Sequence, residues 1–119
     1  MSEVERIQTQ HLSGETVEVE VTLREGPLAL HPMPSEDGAK PRRAWTITHV
    51  PSGTHVITGV RKKTAAVQFL KDALAAAEQY KLDLNQDNIA LANDPAFIDW
   101  AHWWKNARAT VDVLKACEL

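Results

Sequence analysis

Cysteine is almost missing from this chain: Cys117 is the only one in 119 residues. A lone thiol makes no intrachain disulfide, which excludes a disulfide-stapled secreted domain and a zinc site built on several thiolates. Long apolar runs are missing too. No window approaches the roughly 18 to 20 apolar residues that a membrane-spanning helix needs. The first ten residues alternate polar and apolar side chains, carry Glu3 and Glu5, and lack the basic start and apolar stretch of a secretion signal. The expectation is a soluble, cytoplasmic protein with no membrane partner.

An excess of one charge is absent as well. The 13 Lys and Arg stand against 16 Asp and Glu, a net charge of −3. That balance fits neither a basic domain that coats nucleic acid nor a dense acidic mimic of it. The familiar catalytic signatures are also lacking. There is no G-x-G-x-x-G, no phosphate loop and no G-x-S-x-G. Among His11, His31, His49, His55 and His102 no H-x-x-x-H, H-E-x-x-H or H-x-H spacing occurs. No catalytic residue, cofactor or metal is therefore expected, and a small hydrolase or metal protein stands only third among the readings.

What is present is the composition of an ordinary globule, 44% apolar and 24% charged, with a length of about one domain, residues 1–119. Residues 16–24 alternate strictly: Val17, Val19, Val21 and Leu23 point one way, and Glu18, Glu20, Thr22 and Arg24 the other. This period of two predicts a strand buried on one side. Glu25-Gly26-Pro27 punctuates it, and residues 28–30 form a short returning strand. Residues 31–43, with three prolines and a glycine, read as an exposed loop.

Residues 45–50 and 55–60 form a second hairpin around Pro51-Ser52-Gly53-Thr54. Two registers are open. A two-residue loop on Ser52-Gly53 puts His49 and His55 on opposite faces; a three-residue loop puts them on one face, where they could hold a metal or an anion.

An alanine-rich segment, 62–81, predicts a helix with Phe69, Leu70, Leu74 and Ala77 on its apolar side. Residues 82–93 are polar and turn-rich, with one helical turn around Ile89 to Leu91. Asp94-Pro95 then starts a second helix, 95–115, since Asp caps and Pro suits the first helical position. Its stripe of Phe97, Trp100, Trp104, Ala107, Val111 and Leu114 follows a 3-4-3-4-3 spacing. The fold class is α+β: a small antiparallel sheet of three to four strands in two hairpins, packed by two C-terminal helices.

Asp83, Asn85, Asp87 and Asp94 fall at the first, third, fifth and twelfth positions of a calcium loop. Asn88 replaces the glycine of that loop, its last acid is the shorter Asp, and Pro95 begins a new helix. Helix capping accounts for the same letters.

Two features single out interaction residues. Trp103 sits at the margin of the apolar stripe, where tryptophan serves as an interface anchor. Lys40, Arg42 and Arg43 precede the second hairpin and Arg61, Lys62 and Lys63 follow it, so six cations meet at its open end. The trio 61–63 also stands at a helix N-terminus, the wrong end for the helix dipole. Glu18 and Glu20 are the acids placed to neutralise that patch.

The run Trp45-Thr-Ile-Thr-His-Val-Pro-Ser-Gly-Thr-His-Val, with basic residues and an alanine-rich helix after it, resembles small proteins of phages and other mobile elements. The likeness implies an accessory or inhibitor role and carries no functional residue. A non-enzymatic protein-interaction module is expected, binding a protein partner or a second copy of itself. The alternative is a nucleic-acid-binding accessory protein that uses the basic patch around 40–43 and 61–63.

Overall fold

The structure is a computed structural model. It describes residues 5–10, 16–33, 42–111 and 113, with the backbone alone at 10, 42, 43 and 88. His11, Lys40, Leu114 and Cys117 lie outside the described residues. Along the chain run β1 (Arg6–Gln10), β2 (Thr16–Glu20), β3 (Leu23–Glu25), β4 (Leu28–Met33), β5 (Arg42–His49), β6 (Thr54–Val60), α1 (Lys63–Gln79), α2 (Asn88–Ala92) and α3 (Pro95–Ala109). The fold is α+β, with a two-stranded sheet β1-β2 and a four-stranded antiparallel sheet β3-β4-β5-β6.

Several expected boundaries move, each for a local reason. Residues 16–24 are not one strand. The Val21 N–H donates to the Glu5 carbonyl and the Thr22 N–H to the Leu30 carbonyl, so the chain leaves one sheet and enters the other between those two residues. Its partner β1, in sequence only a polar-apolar alternation, pairs Ile7 with Val19 and Thr9 with Val17.

The loop expected at 31–43 starts later, because β4 runs on to Met33 and β5 begins at Arg42. Pro32 is tolerated there because β3 pairs β4 only from Leu28 to Leu30. Beyond that point the outer side of β4 needs no backbone donor.

Helix α1 covers 63–79 rather than 62–81. Lys81 adopts a left-handed backbone, φ 59°, while the N–H groups of Lys81 and Leu82 return to the carbonyls of Glu78 and Ala77. That pattern closes a helix end. Helix α3 stops at Ala109, not 115. The Thr110 hydroxyl takes the Ala107 carbonyl, and Val113 instead forms an antiparallel bridge with Val60. β-Branched residues favour that extended state.

The two faces of β4 and β5 are buried by different means. Toward the helices point Leu28, Leu30 and Ile47, which join Phe69, Leu70 and Trp100 in the hydrophobic core. The opposite face carries Ala29, His31, Thr46 and Thr48, all buried, and β1 lies over it with buried Ile7 and Thr9.

A directed hydrogen-bond chain crosses this second face. His31 Nδ1 lies 2.9 Å from the Pro32 carbonyl, which only accepts, so Nδ1 carries the proton. Nε2 then accepts from the Thr48 hydroxyl at 2.7 Å, and Thr48 accepts from the Thr9 hydroxyl at 2.7 Å.

Replacing Thr48 with the isosteric valine would strand the His31 Nε2 lone pair and the Thr9 hydroxyl in a dry interior. T48V is expected to lower unfolding free energy by about 1–3 kcal/mol in urea denaturation. A loss below about 0.5 kcal/mol would mean that the chain carries no weight in docking β1.

Candidate functional site

The β5–β6 turn takes neither expected register. His49 pairs with Thr54 and Thr48 with His55, leaving a four-residue connection from Val50 to Gly53. Pro51 has no N–H to give a ladder. The N–H groups of Ser52 and Gly53 both donate to the His49 carbonyl, at 3.2 and 2.9 Å. Gly53 closes the turn with φ 72°, a conformation that glycine adopts without strain.

The pairing then shifts between Thr48↔His55 and Ile47↔Ile57. Val56 is the extra residue of a bulge, and its carbonyl is left out of the ladder. The indole N–H of Trp104 takes it at 2.8 Å. The indole N–H of Trp100 donates to the Ala73 carbonyl on α1 at 3.1 Å. These two bonds fix α3 against the sheet and against α1.

Between the turn, the bulge and the helices lies a cleft of about 190 Å³. Leu28, Val56, Leu84 and Leu91 line it with aliphatic groups, and Phe97, Trp100 and Trp104 with rings. Both indole N–H groups are satisfied elsewhere, so these side chains offer the cleft carbon surface. Its polar lining is His49, Ser52, Thr54 and His55.

His49 is buried, and both of its ring nitrogens are engaged. Nε2 lies 2.5 Å from the Leu84 carbonyl and must donate there. Nδ1 therefore accepts from the Ser52 hydroxyl at 2.8 Å, and Ser52 accepts from the Thr54 hydroxyl at 2.7 Å. His31 and His49 are thus held as opposite tautomers. Burial pushes the pKa of each below the ordinary histidine value, His31 also being opposed by His55.

The order hydroxyl, imidazole and orienting carbonyl is that of a nucleophile, its base and the group that aims the base. Acyl transfer also needs donors for a developing oxyanion. Here the N–H groups of Ser52 and Gly53 are already committed to His49, and no carboxylate lines the cleft. The geometry serves to pin the turn to the segment after α1.

The histidine pair falls on opposite sides in the ladder, yet both members border the cleft, His55 from the edge strand. With both nitrogens of His49 in use, that ring offers no lone pair to a metal. No group of three metal-ligating side chains gathers among the described residues. The calcium-like letters are caps: Asp87 accepts from the Ala90 N–H, Asp94 from the Ala96 N–H, and Asp83 from the Asn85 N–H.

The interaction residues picked from sequence lie away from the cleft. Trp103 is half-buried, its ring 5.7 Å from Phe69 and 6.1 Å from Trp100. Arg61, Lys62 and Lys63 are exposed at the start of α1, and Lys63 lies 5.5 Å from the Trp45 ring centre. The backbone brings Arg42 and Arg43, at the start of β5, to the same end of the hairpin. Lys62 caps α1 without a side-chain hydrogen bond.

Glu18 and Glu20 do not neutralise this patch. They pair with Arg6 at 3.9 and 3.5 Å, and Glu5 pairs with Arg24. The arginines of the wider groove beside β1, about 550 Å³, are thereby already matched.

No family model, curated protein or solved structure matches the chain. No helix among the described residues is long and apolar enough to cross a membrane.

The neutral buried histidines set a pH response. Below the ordinary value near 6.5 the unfolded chain binds protons that folded His31 and His49 resist, so stability falls as pH drops. Urea unfolding at about pH 7 and about pH 5.5 is expected to show the lower stability at the acid end. A higher stability there would reverse the assignment. At the other site, Lys62→Asp adds both a side-chain cap and a favourable dipole charge, and should raise unfolding free energy by about 1 kcal/mol.

Proposed function

We propose that this protein is a non-enzymatic interaction module whose cleft receives one apolar side chain of a protein partner. The size and lining of the cleft carry the reading. At about 190 Å³ it falls below the roughly 300–1,000 Å³ usual for metabolite sites. Yet it exceeds the roughly 150 Å³ that suffices for a benzene ring. One aromatic or branched aliphatic side chain is the occupant of that size.

The surroundings support an anchored protein rather than a free ligand. Ile89 on α2 and Ile98 on α3 are 71% and 63% exposed. Both stand on the helices that bring Leu91 and Phe97 to the cleft. Apolar side chains left exposed on the same elements as an anchor pocket favour a protein partner.

Side-chain analogues test the site directly. Titration of ¹⁵N-labelled protein with p-cresol or indole should move the Trp104 indole signal and the Leu84 and Leu91 amides. Affinity on the order of millimolar is expected for so few atoms. Shifts scattered over the surface would sink the reading. A salt-sensitive shift of the Arg61–Lys63 amides with a mixed oligonucleotide, and none at the cleft, would put nucleic-acid binding in its place.

A further inference from the structure

We infer that the side chain the cleft receives is an aromatic ring carrying a hydrogen-bond donor, tyrosine or tryptophan, with the Thr54 hydroxyl oxygen as its acceptor. This rests on the interaction reading and adds the chemistry of the anchor. It comes from the order of donors and acceptors in the lining.

That order is set at one end. The Leu84 carbonyl can only accept, so His49 Nε2 carries the ring proton. Burial holds the His49 pKa below the ordinary value, so the ring is neutral at about pH 7. Its Nδ1 takes the Ser52 proton. Ser52 in turn receives the Thr54 hydroxyl at 2.7 Å and the Thr54 N–H at 3.3 Å, which fills its lone pairs. The chain ends on Thr54. The hydroxyl proton there is committed to Ser52, and the oxygen accepts from no donor among the described residues.

The other donors of these walls are committed too. The Trp100 and Trp104 indole N–H groups go to the carbonyls of Ala73 and Val56. Apart from His55 on the edge strand, the polar side chains of the lining offer an occupant one group, the Thr54 oxygen.

Thr54 is only partly buried. A ring entering the cleft shuts water away from its oxygen. A donor on that ring restores the lost bond, whereas a phenylalanine or leucine anchor strands the lone pairs. The faces of Phe97, Trp100 and Trp104 suit a ring in any case. Tyrosine and tryptophan are the side chains that join a large apolar ring to a neutral donor, and both serve as interface anchors.

Matched probes separate the donor from the ring. Indole is compared with benzofuran, where an oxygen replaces the N–H, and p-cresol with p-fluorotoluene, where fluorine replaces the hydroxyl. Each is titrated into the ¹⁵N-labelled full chain at about pH 7, reading the Trp104 indole and the Leu84 and Leu91 amides. The probes without a donor are the more apolar, so a cleft that reads carbon alone binds them at least as tightly. The expected result is the reverse in at least one pair, the donor-bearing probe binding about fivefold tighter. T54V should erase that preference and T54S should keep it.

Donor-free probes that bind as tightly as their counterparts in both pairs, moving the same amides, overturn the donor and leave the interaction reading standing. The wild-type comparison decides this even if T54V fails to fold. A preference that persists in T54V puts the acceptor elsewhere and overturns the assignment to Thr54. No shift at the cleft with any of the four probes overturns both readings.

Discussion

The crossing of α3 over the sheet turns on one hydrogen bond, from the Trp104 indole to the carbonyl of Val56. That carbonyl is available because β6 bulges there and drops a rung of its ladder to β5. A regular hairpin would have used the group within the sheet, leaving a half-buried indole N–H to find another acceptor. The irregularity therefore fixes where α3 crosses the sheet, and with it the gap between helix and turn. His49 reinforces the same arrangement from the other side, joining the turn through Ser52 to the carbonyl of Leu84. The cleft is bounded by these two ties.

The two sides of the four-stranded sheet follow different physical rules. Toward the helices the contacts are apolar, non-directional and tolerant of small shifts. Toward β1 they are hydroxyls and an imidazole in one fixed sequence of donors and acceptors. Such a chain is favourable only when every member is paired. It specifies register more sharply than a greasy contact would, because sliding by one residue leaves donors facing nothing.

Much of the architecture was legible in the sequence where periodicity was long. The alternation at 16–24, the alanine-rich run and Asp94-Pro95 mark strand and helix without tertiary help. Elsewhere one local signal carries two meanings. His31-Pro32-Met33 looks like loop because proline usually breaks strands, and only the short reach of β3 makes it acceptable in β4. The strand at 16–24 is interrupted by a change of hydrogen-bonding partner, which no pattern of side chains records.

The site was less legible than the fold. Trp100 and Trp104 were visible as the helix's apolar stripe. Leu82 and Leu84 lie in a stretch that reads as polar turn, although both are buried; their two-residue spacing was the available signal. His49 and Ser52 stand three residues apart in one turn. Its four-residue form belongs to one register of the hairpin, and the five or six letters around it fit several registers equally well.

The bulged edge also bears on how copies of this protein treat one another. An outermost strand invites pairing with a neighbouring chain when it is long, flat and regular. β6 is outermost, but its register shifts twice along seven residues, and Gly59 turns to φ 76°. Its Val56 carbonyl belongs to Trp104 and its Val60 is bridged by Val113. A newly made chain in a crowded solution thus presents no straight template on this side for another to zip onto, and the irregularity that shapes the cleft also guards against fibre growth.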